Sequence, residues 1–252
     1  MLPLIVANWK MQLSDADAVT VAGEVAGSPI ADAELVLCPS FTALSRVAEA
    51  VRGSAIALGA QDCAADTRGA LTGEVSSEDL RALGCRYVLV GHSERRQRLG
   101  ETDAMIGKKL RATTAAGLCP ILCVGESFEE RTEGKREAIL TRQLDVLRGL
   151  SLVGTQQLCV AYEPVWAIGT GHAAAPSDAA QAHAFIVDTV REVAGAAVAD
   201  RVRVLYGGSV SPENVAAFLA EQHVAGVLVG TASQSAARLR AIVAAAGRDR
   251  RI

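Results

Sequence analysis

Residues 159–171 read Cys-Val-Ala-Tyr-Glu-Pro-Val-Trp-Ala-Ile-Gly-Thr-Gly, an apolar run that leads into an acid, a proline and a loop with two glycines. The apolar run has the composition of a buried strand. Proline has no N–H group for the sheet ladder, so we expect the strand to stop at Glu163. Gly169 and Gly171 allow backbone angles that other residues resist, which favours a mobile loop. The stretch therefore predicts a carboxylate at a strand tip under a loop that opens and closes.

A carboxylate in that position becomes a stronger base when the closing loop removes its water. An isolated acid at a strand end is more often an ordinary exposed group. The rest of the chain has to decide between these two interpretations.

Similar apolar runs recur along the chain and alternate with helical segments. This alternation predicts βα units with a parallel sheet, and eight such units predict the α/β class and a closed (β/α)8 barrel. Because 252 residues suit one such barrel and no stretch resembles a linker, we expect residues 1–252 to form a single domain. The predicted strands are residues 4–7, 35–38, 57–61, 87–91, 120–124, 158–162, 202–206 and 226–229.

Four of the connecting segments begin with a capping Ser, Thr or Asp and early acids, which are helix start signals. The predicted helices are residues 16–26 after Ser14-Asp15, 104–116 after Glu101-Thr102-Asp103, 179–194 after Ser177-Asp178 and 214–220 after Ser211-Pro212-Glu213.

The composition excludes several classes of protein. A net charge of −3 without a basic run argues against a nucleic-acid partner. No stretch reaches the roughly 18 apolar residues of a membrane helix, and the apolar run near the N-terminus has no basic residue before it. We therefore expect a soluble, cytoplasmic protein without a membrane partner.

In barrels of this kind the chemistry gathers at the carboxyl ends of the strands. Those ends carry Lys10, His92 and Glu163, with the amides Asn8 and Gln61 beside them. Glycine-containing turns follow the last two strands, at 207–209 and 230–231. Such turns bring backbone N–H groups close to an anion, so we expect a small phosphorylated substrate.

His92 stands between Gly91 and the sequence Ser93-Glu94-Arg95, which predicts a short helix. The N-terminus of a helix disfavours the charged imidazolium, so a neutral His92 would donate a hydrogen bond to a carbonyl oxygen. Lys10 would face His92 and supply positive charge to a phosphate or an oxyanion. A lone histidine or lysine is more often structural or solvated.

Together these residues resemble the triosephosphate isomerase family over nearly the whole chain. The resemblance rests on four segments: Asn8-Trp9-Lys10-Met11, residues 91–96 (Gly-His-Ser-Glu-Arg-Arg), residues 161–171 and residues 206–210 (Tyr-Gly-Gly-Ser-Val). It implies a TIM barrel that interconverts D-glyceraldehyde 3-phosphate and dihydroxyacetone phosphate through an enediolate, in glycolysis and gluconeogenesis.

The resemblance also implies a role for each matching residue. Glu163 is the general base, His92 the neutral electrophile, and Lys10 and Asn8 bind the enediolate and the phosphate. Residues 164–174 form a lid. The implied phosphate contacts are Gly169, Ser209, Gly230 and Thr231; the implied lid and supporting residues are Pro164, Ile168, Thr170, Gly171, Tyr206, Leu228, Glu94 and Cys123.

Residues 62–75 have neither a strand nor a helix pattern, and in the family this loop docks into a second subunit through a residue that matches Thr72. The resemblance therefore implies a homodimer.

Thr231 stands where the family commonly has glycine, and a threonine forced into positive φ there would be strained.

Two other interpretations stay open. One is another phosphate-binding barrel enzyme, such as a Schiff-base aldolase that uses Lys10. The other is a barrel without activity that serves as a scaffold. We expect no metal and no cofactor, since the sequence has no HExxH motif or acidic cluster at a strand end and the proton transfer needs no cation.

Overall fold

A computed structural model describes residues 1–152, 157–168 and 173–247. Eight parallel strands close into a barrel in which each pairs with the next and the last pairs with the first. This confirms the predicted fold, with strand ends that differ from the predicted ones by at most two residues. The strands are β1 Leu4–Asn8, β2 Glu34–Cys38, β3 Ala57–Ala60, β4 Cys85–Val90, β5 Cys119–Val124, β6 Cys159–Tyr162, β7 Arg203–Tyr206 and β8 Gly226–Val229.

Helices cover the outside of the barrel. Among the described residues no helix is long and apolar enough to cross a membrane. The helices are α1 Asp15–Ala26, α2 Leu44–Ala50, α3 Ser77–Ala82, α4 Ser93–Arg98, α5 Asp103–Ala115, α6 Phe128–Thr132, α7 Arg136–Leu144, α8 Pro176–Ala194, α9 Ala196–Ala199, α10 Val215–Leu219 and α11 Ala236–Ala246.

The predicted caps are correct at two helices and wrong at the other two. Helix α10 begins at Val215, and its N-cap Asn214 makes no side-chain cap bond. The side chains of Ser14 and Thr102 accept hydrogen bonds from the backbone at the start of α1 and α5. Helix α8 begins at Pro176, so Ser177 lies inside the helix and Ala175 is the N-cap, without a side-chain bond. Proline favours this earlier start because its fixed φ suits the first helical position and its missing N–H would have no helical partner there.

The alternation of side chains along the strands produces two apolar layers. Leu4 and Val6 of β1 belong to the cluster that fills the barrel, whereas Ile5 and Ala7 belong to the cluster between strands and helices. On β6, Cys159 and Ala161 belong to the inner cluster. Two residues further on, this alternation directs residue 163 towards the barrel axis.

The long loop after β3 has the predicted irregular structure. Residues 61–76 contain no strand and no helix, and residues 66–74 are all exposed, Thr72 among them. The base of the loop is fixed by a hydrogen bond from the amide of Ala64 to the carbonyl oxygen of Val75, at 2.8 Å. The loop therefore projects from the barrel on a closed base.

His183 is a fully buried histidine on the inner side of α8. Its Nδ1 lies 3.1 Å from the carbonyl oxygen of His223, so the proton of the neutral ring is on Nδ1. Nε2 has no hydrogen-bond partner among the described residues. Burial lowers the pKa of His183 to about 4, so the folded protein holds this ring neutral well below the pH at which an exposed histidine is protonated.

This difference predicts that acid weakens the fold through His183. Between pH 6.5 and about 4 the unfolded chain binds a proton that the folded chain does not, so stability falls as the pH falls. Across that range the loss amounts to about 3 kcal/mol in the free energy of unfolding. Urea unfolding at fixed protein concentration should show this loss in the parent chain and a flatter pH dependence in His183→Asn, which keeps a donor for the His223 carbonyl. Parallel curves for the two proteins would contradict the assignment.

Candidate active site

A cavity of about 400 Å³ opens at the carboxyl ends of the strands. It collects residues that follow β1, β4, β6, β7 and β8, which are far apart in sequence. The predicted site residues that line it are Asn8, Lys10, His92, Glu163, Ile168, Ser209, Leu228, Gly230 and Thr231.

Glu163 lies immediately after the last residue of β6, as predicted, and is only 2% exposed. Its Oε2 accepts a hydrogen bond from the backbone N–H of Ser93 at 2.9 Å. Its Oε1 lies 3.0 Å from Nε2 of His92. A buried carboxylate fixed by the Ser93 hydrogen bond and by the close contact with His92 keeps its direction and still lines the cavity.

His92 is the N-cap of α4, and its ring geometry identifies its tautomer. Nδ1 accepts a hydrogen bond from the backbone N–H of Glu94 at 3.3 Å, so Nδ1 carries no proton. The ring is therefore neutral, with its proton on Nε2. The Nε2–H group then faces Oε1 of Glu163 at the edge of the cavity.

Lys10 has a strained backbone that several contacts hold in place. Its φ is 55°, in the left-handed region that a lysine seldom adopts. The side chain of Asn8 accepts from the Lys10 N–H at 3.1 Å, and Gln61 donates to the Lys10 carbonyl at 2.8 Å. Strain of this kind persists only where the surroundings fix it and is concentrated at functional sites.

The ammonium of Lys10 lies 2.7 Å from Oε1 of Glu94. Burial acts to raise the pKa of the Glu94 carboxyl, but the hydrogen bond and the charge of Lys10 outweigh it and leave that pKa below its usual value. Glu94 is therefore ionised at neutral pH and fixes the direction of Lys10. This is a physical basis for the supporting position that the sequence predicted.

The turns after β7 and β8 form the other end of the cavity. Asn214 ties the first turn together, since its side chain accepts from the Ser211 N–H at 2.8 Å and donates to the Ser209 carbonyl at 3.1 Å. In the second turn the Ser233 hydroxyl donates to the Gly230 carbonyl at 2.7 Å. Both turns thus present backbone groups of Ser209, Gly230 and Thr231 to the cavity in a fixed geometry.

The expected strain at Thr231 is absent. Among the described residues the only non-glycine positions with positive φ are Lys10 and His223. Thr231 begins a short 3₁₀ turn, Thr231–Gln234, and lines the cavity from an exposed position. The condition for strain at this threonine is therefore not met, because the turn does not require the left-handed region here.

Both described flanks of the predicted lid are fastened. The Ser209 hydroxyl donates to the Ala167 carbonyl at 2.7 Å, and the Ala174 N–H donates to the phenolic oxygen of Tyr206 at 2.9 Å. Pro164 begins the first flank, and its carbonyl accepts from the Ala167 N–H at 2.7 Å. The predicted lid residues Gly169, Thr170 and Gly171 lie outside the described residues.

Glu126 is a further residue of the lid flank that sequence reasoning did not assign a role. One of its oxygens accepts from the hydroxyl of Tyr162 and from the indole N–H of Trp166, each at 3.0 Å, and Glu126 is fully buried. The guanidinium of Arg131 lies 4.5 Å from the centre of the Trp166 ring. A pattern of single residues spread over 40 positions has no signal in sequence, so only the fold identifies this contact.

The register of the sheet places two glycines beside Glu163. The pairs Cys123–Ala161 and Ala161–Leu205, continued by two residues, bring Gly125 and Gly207 next to Glu163. A Cβ atom on Gly125 would lie 1.8 Å from the Glu163 carbonyl oxygen, and one on Gly207 would lie 2.9 Å from its Cγ. Only glycine fits at Gly125 without displacing the backbone of Glu163.

A second cavity of about 390 Å³ lies on the other side of Glu163. Its guanidinium groups belong to Arg96 and Arg142. The donors of Arg96 are taken by the carbonyls of Gly91 and Cys123 and by Asp103, and Arg142 pairs with Asp103. None of the described histidines lines this cavity. Among the described residues no group of three or more His, Cys, Asp or Glu side chains could hold a metal ion.

Comparison with known proteins identifies relatives over nearly the whole length. A family model described as Triosephosphate isomerase matches residues 3–246. The triosephosphate isomerase of Moorella thermoacetica is 48% identical over 245 residues, 96% of this chain and 97% of the relative. That of Syntrophotalea carbinolica is 47% identical over 93% of this chain and 94% of the relative. The crystal structure of triosephosphate isomerase from Bartonella henselae superposes with a TM-score of 0.86 at 35% identity, covering 97% of this chain and 99% of that one.

The contact at Gly125 predicts an effect on stability. Gly125→Ala should lower the free energy of unfolding by roughly 1–3 kcal/mol, because the added methyl group meets a backbone oxygen that cannot move without moving β6. The control is Gly23→Ala in α1, where nothing lies within 4 Å of the new atom and where alanine should add up to about 1 kcal/mol. Urea unfolding of the three proteins measures both changes. Equal stability of Gly125→Ala and the parent would show that the strands are not as close as described.

Proposed function

The chain belongs to the triosephosphate isomerase family, and we propose that Glu163, His92 and Lys10 are the residues through which it works. It interconverts D-glyceraldehyde 3-phosphate and dihydroxyacetone phosphate, a step of glycolysis and gluconeogenesis. The observation that carries the proposal is the contact of 3.0 Å between the buried Glu163 carboxylate and Nε2 of a neutral His92, inside the main cavity.

In this proposal Glu163 is the general base. The reaction begins when a base removes a proton from the carbon beside the carbonyl group, and the base later returns the proton to the neighbouring carbon. Glu163 can do both because its carboxylate lines the cavity and the Ser93 N–H holds one of its oxygens. The other oxygen faces the same space as the His92 ring.

His92 and Lys10 stabilise the charge that develops on oxygen. As the proton leaves carbon, negative charge moves to the carbonyl oxygen and gives an enediolate. In the free site the Nε2–H group of His92 faces Oε1 of Glu163 at 3.0 Å, and in this proposal it donates to the substrate oxygen once the substrate enters the cavity beside both side chains. The ammonium of Lys10, directed by Glu94, adds positive charge on the same side.

The phosphate group binds at the two turns after β7 and β8. Ser209, Gly230 and Thr231 line that end of the cavity. Family resemblance adds Gly169 as a fourth phosphate contact, at a position outside the described residues. Backbone N–H groups in such turns suit a dianion, since they add positive dipoles without a competing charge. Asn8 fixes the Lys10 backbone and so keeps the ammonium between the phosphate and the reacting carbons.

The lid, residues 164–174, shields the enediolate from water, because an exposed enediolate can lose phosphate. Tyr206 and Ser209 latch its two flanks through the hydrogen bonds described above. Ile168 and Leu228 line the cavity as apolar side chains over the base, which keeps water from the carboxylate. Family membership does not favour a Schiff-base aldolase or a silent scaffold, and neither accounts for the pairing of Glu163 with His92.

The decisive test is the isomerase assay on the purified chain, with chelator present, for the parent and for Glu163→Gln. The parent should interconvert the two triose phosphates. Glutamine keeps the size of the side chain but cannot accept the proton, so kcat should fall about 10²–10⁴-fold while inorganic phosphate still binds. Glu24→Gln, on the exposed side of α1, is the matched control and should keep parental activity. Undiminished turnover in Glu163→Gln would rule out this base.

We also propose that the chain acts as a homodimer. The exposed apolar residues Met11, Phe41, Leu71 and Leu99 follow β1, β2, β3 and β4 in turn. These strands are neighbours in the barrel, so the four side chains share one side of its carboxyl face. Thr72 lies in the projecting loop on that side, from which it would reach a second subunit. An apolar patch of this kind on a protein surface indicates an interface.

Sedimentation at micromolar concentration should therefore give the mass of a dimer. Leu71→Asp places a charge in the patch and should increase the fraction of monomer. Leu83→Asp is the matched control, since Leu83 is 41% exposed but lies just before β4, at the opposite end of the barrel. A monomer mass for the parent chain, or equal dissociation of the two variants, would refute the proposed interface.

The remaining features follow from the reaction. We propose that the 252 residues work as one domain in the cytoplasm, on a small phosphorylated triose. No cofactor is required, because the reaction moves protons and neither transfers hydride nor carries a group between substrates. We propose no nucleic-acid or membrane partner.

A further inference from the structure

Arg238 is a charged residue of the main cavity to which the proposed mechanism gives no role. It is the third residue of α11, is exposed, and lines the same cavity as Lys10, Ser211 and Thr231. Lys10 is committed to Glu94 at 2.7 Å. Among the described residues Arg238 takes part in no ion pair, so it is the lining cation whose charge is not already neutralised by contact.

Arg238 lies close to both turns at which the phosphate is proposed to bind, those after β7 and β8. Arg238 follows the turn after β8, yet its charge acts on Glu213, which follows β7. Hydrogen bonds from Ser211 and from the backbone are the main reasons that the pKa of the Glu213 carboxyl is lowered, and the charge of Arg238 adds to them. Arg238 also lines the same cavity as Ser211 of the β7 turn and Thr231 of the β8 turn, which places it beside both turns.

This position is unfavourable for a cation in the helix alone. The first turn of a helix attracts anions and repels cations, and the first turn of α11 contains no acid; the carboxylate of Glu213, which senses the charge of Arg238, belongs to the turn after β7 and forms no ion pair with it. Packing does not explain this position either, since the side chain is exposed. Its placement is explained if an anion regularly occupies the space between the two turns.

We propose that Arg238 is a positioning residue for the substrate phosphate, which it attracts to the cavity mouth and helps to hold. This deepens the proposed function and rests on it. A phosphate monoester carries close to two negative charges, and the guanidinium group presents five N–H donors in a geometry that suits phosphate oxygens. The chain as a whole carries a net charge of −3, so attraction of a dianion must come from local charge of this kind.

The proposed role concerns binding and not proton transfer. Arg238 makes no hydrogen bond to Glu163, His92 or Lys10, whose partners are those described above. Its loss should therefore raise KM and leave kcat nearly unchanged. Because the side chain is exposed, salt should screen its effect, which distinguishes it from a residue that acts through packing.

The test compares Arg238→Gln with Arg240→Gln and Arg238→Lys. Arg240 lies two residues further along α11 and donates to the Glu24 carbonyl of α1, away from the cavity. Arg240→Gln therefore makes the same change in net charge without changing the cavity. At low ionic strength KM for glyceraldehyde 3-phosphate should rise about three- to tenfold in Arg238→Gln, and the rise should shrink to roughly twofold at physiological salt. Arg238→Lys should recover most of the loss, and Arg240→Gln should match the parent.

Calorimetric titration with inorganic phosphate measures binding directly and gives a second test that does not need turnover. Arg238→Gln should weaken phosphate binding by a similar factor, and Arg240→Gln should not. If the chain bound phosphate through Arg238 but had no isomerase activity, the proposed function would be refuted and the assignment of Arg238 to a phosphate site would stand. Equal KM, phosphate affinity and salt dependence in the two glutamine variants would overturn the assignment of Arg238.

Discussion

The site depends on the register of three neighbouring strands. Because side chains alternate along a strand, Cys159 and Ala161 fill the barrel and Glu163 continues their direction at its rim. The same register brings a glycine from each neighbouring strand to either side of that position. A side chain on either neighbour would take the space of the carboxylate or its backbone. The packing of the barrel interior thus fixes the height, direction and burial of the base together.

Two departures from regular backbone bring the other chemical groups to the same point. On β4 the inward residues are Tyr87 and Leu89, so an unbroken strand would turn position 92 away from the axis. Gly91, with a φ of 71°, ends that alternation, and His92 then caps α4 and enters the cavity. After β1, position 10 continues the inward direction of Leu4 and Val6, and the positive φ of Lys10 turns the backbone out of the strand at that point. The reacting groups therefore meet because strands end in defined and partly strained ways.

The features that could be predicted from sequence are those with a local cause. Eight strands, the tip position of Glu163, the helix after His92 and the loop around Thr72 each follow from neighbouring residues, and the structure has all of them. The start of α8 was misplaced because Ser177 and Pro176 give competing local signals. The close approach at Gly125, the brace of Asn214 and the contacts of Glu126 depend on residues that only the closed barrel brings together. The backbone angles at Thr231 also could not be predicted from its neighbours. The turn that contains Thr231 is held by the Ser233 hydroxyl, and Thr231 does not adopt a positive φ there.

The order of the strands around the barrel also decides which way the substrate lies. In the proposed mechanism the proton chemistry uses residues after β1, β4 and β6, whereas the phosphate is held by the turns after β7 and β8, and all of them line one cavity. Since β6 pairs with β7 and β7 with β8, the base is next to the phosphate turns and never more than two strands from them. A substrate held by its phosphate must then extend its carbon chain from those turns towards Glu163 and His92. Closure of the barrel consequently sets the distance between the phosphate and the reacting carbons, and a longer or shorter carbon chain would place the wrong atom beside the base.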